Sequence, residues 1–138
     1  MRRLNLGCGK NWREHRSYEG LDMEDYGQKY VGEVFCEITK FNENTFSEVM
    51  ANHFLEHFYP HEVQMLLREI HRILKKGCTF KFVVPHKDKA EAWDLTHKSY
   101  WNGNTVMKIP IMNNIGKWEI ENMSVNDRMD IHAWLVKH

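Results

Sequence analysis

Leu4-Asn5-Leu6-Gly7-Cys8-Gly9-Lys10 is a short apolar run that enters a glycine-rich turn close to the start of the chain. Gly7 and Gly9 let the backbone turn sharply and let a ligand approach the main chain where a Cβ would otherwise intrude. After the first strand of an α/β sheet, such a turn is a place for a nucleotide-like ligand. A two-glycine turn is also an ordinary way to leave a strand, so its meaning depends on the elements around it.

Working outward, residues 2–6 read as a first strand, residues 11–17 as a helical turn or two, and residues 18–22 as a second strand ending on the Asp22 carboxylate. Only 13 positions separate Gly9 from Asp22, which abbreviates the first crossover. Val31, Val34, Phe35 and Ile38 predict a third strand over residues 31–38, and residues 46–51 predict a fourth that leads into His53-Phe54-Leu55-Glu56-His57. Pro60 then opens a helix, Glu62 complements its first turn, and Val63, Leu66, Leu67, Ile70, Ile73 and Leu74 form one apolar face. Lys75 and Lys76 suit its last turn, with Gly77 as the C-terminal cap.

Residues 79–84 predict a fifth strand stopped by Pro85, and residues 86–114 an irregular loop region with one or two short helices. Residues 117–123 and 129–137 predict an antiparallel hairpin around Asn126-Asp127. Strands that alternate with crossovers imply a single Rossmann-like α/β domain over residues 1–138. It is expected to have a mainly parallel sheet, helices on both faces, a C-terminal antiparallel hairpin, and ligands at the carboxyl ends of the strands.

A chain of 138 residues buries a full core without staples. Its 19 basic residues balance 19 acidic ones, so no bulk attraction draws it to nucleic acid or an anionic membrane. Three cysteines, an odd number without CxxC spacing, argue against a disulfide framework and for a reducing compartment. No signal peptide and no apolar run of transmembrane length are visible, and a cytoplasmic location is expected.

The succession LNLGCGK, YEGLDME, CEIT, FSEVMANHFLEHF and LLREIHRILKKGCTFKFVVPH resembles, in order and spacing, the class I S-adenosylmethionine-dependent methyltransferases. The shortened first crossover is similar to that of a compact branch of this family. The resemblance implies S-adenosyl-L-methionine as cofactor, with Gly7, Cys8 and Gly9 against its methionine part. Asp22 would accept hydrogen bonds from the two ribose hydroxyls, because a carboxylate offers two acceptor oxygens.

By the same resemblance Glu37 would receive the adenine amino group with Ile38 beside the ring, and Asn52 and His53 would stand next to the methyl-donating sulfur. Glu56-His57 matches a pair found after the fourth strand, and Asp94-Leu95-Thr96-His97 matches a stretch near the active site of the compact relatives. His57 and His97 are therefore the candidate catalytic bases, since imidazole titrates near neutral pH. Trp93, Tyr100 and Trp101 are candidates to wall an acceptor pocket. The compact branch is similar to proteins associated with polysaccharide synthesis, which implies a small-molecule or glycan acceptor, not nucleic acid. Lys10 in place of a third glycine and the lack of an acidic residue just before Gly7 depart from the family pattern.

Two other classes fit parts of the chain. A methyltransferase fold without catalysis would serve as a binding module. His53-Phe54-Leu55-Glu56-His57 also fits H-x-x-E-H, a zinc-hydrolase pattern that needs both histidines on a stable helix and a third ligand such as Glu119 or Glu121. The motif follows directly on a strand, and Pro60 comes three residues later, so the expected site has no metal ion. A dinucleotide dehydrogenase would need a third glycine and a longer spacing to its acidic residue.

Overall fold

The computed structural model describes residues 1–138. Its strands are β1 (Arg3–Leu6), β2 (Glu19–Asp22), β3 (Tyr30–Val31), β4 (Phe46–Asn52), β5 (Leu74–Pro85), β6 (Trp118–Val125) and β7 (Asp130–Lys137). The helices are α1 (Val34–Glu37), α2 (Pro60–Ile73) and α3 (Gly103–Met107), joined by several 3-10 turns. All seven strands form one sheet in the order β3-β2-β1-β4-β5-β7-β6. The first five run parallel, and β7 lies antiparallel to both β5 and β6. This is the Rossmann-like sheet with a closing hairpin that the alternation of elements implied.

Side chains alternate across the sheet because the strand period is two. Leu21, Leu6, Ala51, Phe82 and Ala133 lie side by side across five strands, and all are buried. A second buried row, Leu4, Val49, Phe80 and Leu135, runs parallel to it. The stripe Val63, Leu66, Leu67, Ile70 and Ile73 of α2 joins the same core. Positions between these rows point to the opposite face. There Met50, Lys81 and Trp134 are neighbours, with Lys81 3.0 Å from Glu48 and 4.6 Å above the Trp134 ring. The β1–β2 and β4–β5 connections run in opposite directions along the sheet, so right-handed crossovers carry them to opposite faces. Thus α2 covers one face, and the short Trp12–His15 turn stands over the other.

Two expectations fail locally. Only Tyr30–Val31 of the expected third strand pairs with β2, and Val34–Glu37 is helical. Val34 and Ile38, four residues apart, are both buried by one helical face, and the Glu33 carboxylate caps the turn by accepting from Phe35 N. Apolar residues at that spacing satisfy either period over so short a stretch.

The second failure is at the end of the long helix, which stops at Ile73 and not at Lys76. Leu74 already pairs with Phe46, whereas Thr79 pairs with Glu48, so Lys75, Lys76 and Gly77 bulge out of β5. Gly77, at φ +79, supplies the left-handed residue of that bulge and caps no helix. No helix is long and apolar enough to cross a membrane.

The start of β2 is held by charge. Glu19 accepts both Arg2 Nε and Arg2 Nη2 at 3.0 Å, Lys29 Nζ at 2.9 Å and the Tyr30 hydroxyl at 2.8 Å. Foremost the Arg2 bond, then Lys29 and Tyr30, hold its carboxyl down at about 2. A depressed carboxylate stabilises the fold above its unfolded pKa and loses that contribution as pH falls toward the folded value. Glu19→Gln is therefore expected to lower Tm at neutral pH by about 3–5 °C, the partner Arg2 being half exposed and screened. In a thermal melt series the two proteins should converge between about pH 4.5 and 2. A constant difference across that range would refute the assignment.

Candidate active site

The carboxyl ends of β1 and β2 are tied together at the glycine turn. Gly7 N and Cys8 N both donate to the Leu21 carbonyl, at 2.8 and 3.1 Å. Gly9 N donates to Asp22 Oδ2 at 2.9 Å, and Glu24 N donates to Asp22 Oδ1 at 3.0 Å. Each Asp22 oxygen has thus met one backbone donor and keeps a lone pair for another. Gly7, at φ +64, passes directly beneath the Phe54 ring, which would stand 2.2 Å from a Cβ at that position. Both its backbone conformation and this contact require glycine.

Over this turn opens a cleft of about 350 Å³. Gly7, Leu21, Asp22 and Met23 form one side, residues 32–34 the end, and His53, Phe54, His57 and Phe58 the other side. Its volume is in the range of small-ligand sites. Asp22 and Glu33 give it two carboxylates, favourable to a ligand with positive charge.

The expected residues divide over this geometry. Gly7, Asp22, His53 and His57 line the cleft. Gly9 lies beside it with open space around its Cα, while Cys8 turns its sulfur toward Gly20, on the opposite side of the turn. Glu37 and Ile38 do not reach the lining. The Glu37 carboxylate sits over Gly32 and bonds Lys40 at 2.9 Å, and Ile38 is fully enclosed in the core. The wall at that place is made by residues 32–34, which the overlong third strand had concealed. Their signal was Gly32 followed by a helix-capping Glu33. Phe54 and Phe58, packed edge to face with centroids 4.9 Å apart, carry no chemical motif and were also missed.

His53 stands at the end of β4 with φ +52, an unusual backbone for a non-glycine residue, fixed by its N–H donating to Val83 O at 2.8 Å. It is the one side chain shared by the cleft and a second hollow of about 660 Å³. This hollow lies on the sheet face opposite α2, with Asn52, Lys81, Arg128, Asp130, His132 and Trp134 in its lining. His53 Nδ1 is 3.5 Å from Glu56 Oε2, and its Nε2 is 3.7 Å from Asp130 Oδ2. The Glu56 carboxylate, aided by Asp130 and against partial burial, raises the imidazole pKa.

The structure brings His57 and His97 together, with ring centroids 4.8 Å apart and planes at 84°. Asp94 Oδ1 accepts Thr96 N at 3.0 Å and Thr96 Oγ1 at 2.9 Å, which turns the chain so that His97 faces inward. Lys98 N and Ser99 N donate to the Glu56 carbonyl, clamping this loop on the Leu55–His57 turn. Trp101 is buried core, while Trp93 and Tyr100 stack on each other at 4.3 Å, both largely exposed. The H-x-x-E-H hydrolase geometry does not form. Only Leu55–His57 is helical there, and Glu119 and Glu121 lie on β6, bonded to His138 and Thr79.

A family model described as a methyltransferase domain matches residues 10–82. No curated protein sequence matches the chain. Among solved structures, an S-adenosylmethionine-dependent methyltransferase from Archaeoglobus fulgidus superposes with a TM-score of 0.76 at 17% identity, covering 99% of this chain and 86% of that one. One from Mesorhizobium loti gives a TM-score of 0.73 at 16% identity over 99% and 90% of the two chains. At these identities the likeness is one of fold.

The environment of Cys8 makes a direct chemical prediction. Burial, then the Asp22 charge, pushes its thiol up to about 11. Two units above an ordinary thiol, its reactive thiolate is about 100-fold scarcer at mildly alkaline pH. Iodoacetamide is expected to label exposed Cys36 first and Cys8 about 100-fold more slowly, as followed by peptide mass spectrometry. Equal labelling rates would contradict the described packing of Cys8.

Proposed function

The chain belongs to the class I S-adenosylmethionine-dependent methyltransferases, and from that premise we propose that residues 1–138 act as one domain that methylates a hydroxylated small molecule or glycan. The observation that carries this reading is His53, which lines both the cleft over the glycine turn and the larger polar hollow beside it. A methyl transfer needs two such sites meeting at one point.

The residues of the cleft fit S-adenosylmethionine. A side chain at Gly7 would drive the Phe54 ring out of its place in the cleft wall, and the free lone pairs of Asp22 suit two hydroxyl donors. The backbone of Gly7, Cys8 and Gly9 holds the methionine part, and Asp22 holds the ribose. Residues 32–34 flank the adenine, backed by Glu37 and Ile38, and Asn52 and His53 stand at the sulfonium. When bound there, the donor supplies a methyl group made electrophilic by its positive sulfur. Phe54 and Phe58 exclude water from it, and alignment of the acceptor does most of the remaining work.

The hollow would receive the acceptor. Its polar side chains, Asn52, Arg128, Asp130 and His132, suit hydroxyl groups, and the part-exposed Trp134 ring offers a flat apolar surface. That combination supports a sugar-like molecule. His53 is best positioned to take the acceptor proton, held between the Glu56 and Asp130 carboxylates. His57 and His97, expected as bases, support the reaction from the cofactor side, where His57 lines the cleft. The three cysteines, all unpaired, support a reducing compartment such as the cytoplasm.

Calorimetry with S-adenosylhomocysteine tests the cofactor site directly. Micromolar binding is expected, weakened by about 10- to 100-fold in Asp22→Asn as charge-assisted hydrogen bonds are lost. No binding by the parent protein would sink the reading. With labelled donor and a panel of hydroxylated acceptors, His53→Ala should lower kcat by about 100-fold or more while donor KM changes little. An unchanged kcat would remove His53 from the reaction.

A further inference from the structure

Glu56 is 1% exposed, and its Oε1 has no hydrogen-bond partner, although Oε2 faces His53. A buried carboxylate oxygen without a donor is costly and calls for a charge. Glu56, His57 and His97 each offer one ligand atom, and these atoms all lie within 4.8 Å of one another. His97 Nδ1 is 3.1 Å from the Ala92 carbonyl, and His57 Nδ1 is 3.4 Å from the Thr96 carbonyl. A carbonyl only accepts, so in each contact Nδ1 is the donor and Nε2 is the nitrogen left to offer a lone pair. Neither Nε2 is engaged by any protein group.

From this cluster we propose that Glu56, His57 and His97 form a binding site for a divalent transition-metal ion, zinc by ligand type. Two imidazoles and one carboxylate are a catalytic-type donor set, and imidazoles anchored through Nδ1 on backbone carbonyls are the outer-shell arrangement that metal sites use. Bonds of about 2.0–2.1 Å at tetrahedral angles place ligand atoms about 3.4 Å apart, so the side chains close by about 1.4 Å around an ion. The ligands come from two segments, the Leu55–His57 turn and the loop that ends at His97, and the ion ties one to the other. This set differs from the H-x-x-E-H reading, since His53 is replaced by His97 and no ligand comes from β6.

Three protein ligands leave a coordination position open. His57 lines the cleft, so that position adjoins the methyl donor's site. This last step rests on the methyl-transfer reading; the ion site does not.

The test uses the intact chain, stripped with a chelator and titrated with zinc, while S-adenosylhomocysteine binding is measured on the same sample. One zinc per chain is expected, and the cobalt(II) form should show the visible bands of a low-coordinate site. His97→Ala, at the partly exposed loop, should weaken zinc binding by about 100-fold or more, beyond the cost of an outer-shell loss. The shape-conserving Glu56→Gln should do the same, with circular dichroism reporting the fold. His61→Ala, on the exposed start of α2, should leave zinc affinity unchanged. Substoichiometric uptake, or equal affinity in the parent and His97→Ala, overturns the metal site. If S-adenosylhomocysteine binding survives that outcome, methyl transfer stands without the ion; if zinc binds and S-adenosylhomocysteine does not, the methyl-transfer reading alone falls.

Discussion

The row Leu21, Leu6, Ala51, Phe82 and Ala133 is the constraint on which the rest of the molecule depends. These five side chains must all point to the α2 face, and a slip of one residue in any strand would turn that strand's set to solvent. Leu21, Leu6 and Phe82 each contribute about 1.5–3 kcal/mol by their burial, so the register is strongly held. The positions one step beyond this row are Asp22, Gly7, Asn52, Val83 and His132. The edge of the site is therefore a direct consequence of core registry.

Along that edge, chemistry is separated by face. The glycine turn, Asp22 and residues 32–34 surround the cleft, whereas Lys81, His132 and Trp134 look onto the opposite sheet face. His53 joins the two because its left-handed backbone breaks the alternation at the end of β4. An ordinary extended residue there would send its side chain to one face only. The shortened first crossover has a related effect, since it leaves the face opposite α2 with a short turn where a full helix would stand.

The ordered motifs were legible because each combines a strand with its exit. Gly7, Asp22 and His53 were found from the ends of apolar runs, and all three line the cleft. Glu37 and Ile38 were named from a strand that stops six residues before Glu37, at Val31, where a Glu33-capped turn takes over. Gly77 looked like a helix cap because Lys75 and Lys76 precede it, yet Leu74 is captured by pairing with Phe46. A local cap in the first place and a tertiary pairing in the second overrode a pattern too short to determine its own period.

By itself, the amino-acid sequence determined the α/β class, the parallel sheet closed by a hairpin, and the glycine turn and strand-end Asp22 that line the cleft. Those features follow from periodicity and from turn chemistry, which act between near neighbours. Only the tertiary structure decided that His57 meets His97, that Glu56 is buried beside them, and that His53 belongs to two hollows. Such contacts join residues about 40 or more positions apart, as with the 3.4 Å approach of His57 to Thr96, and no local pattern encodes which loop will close over which turn.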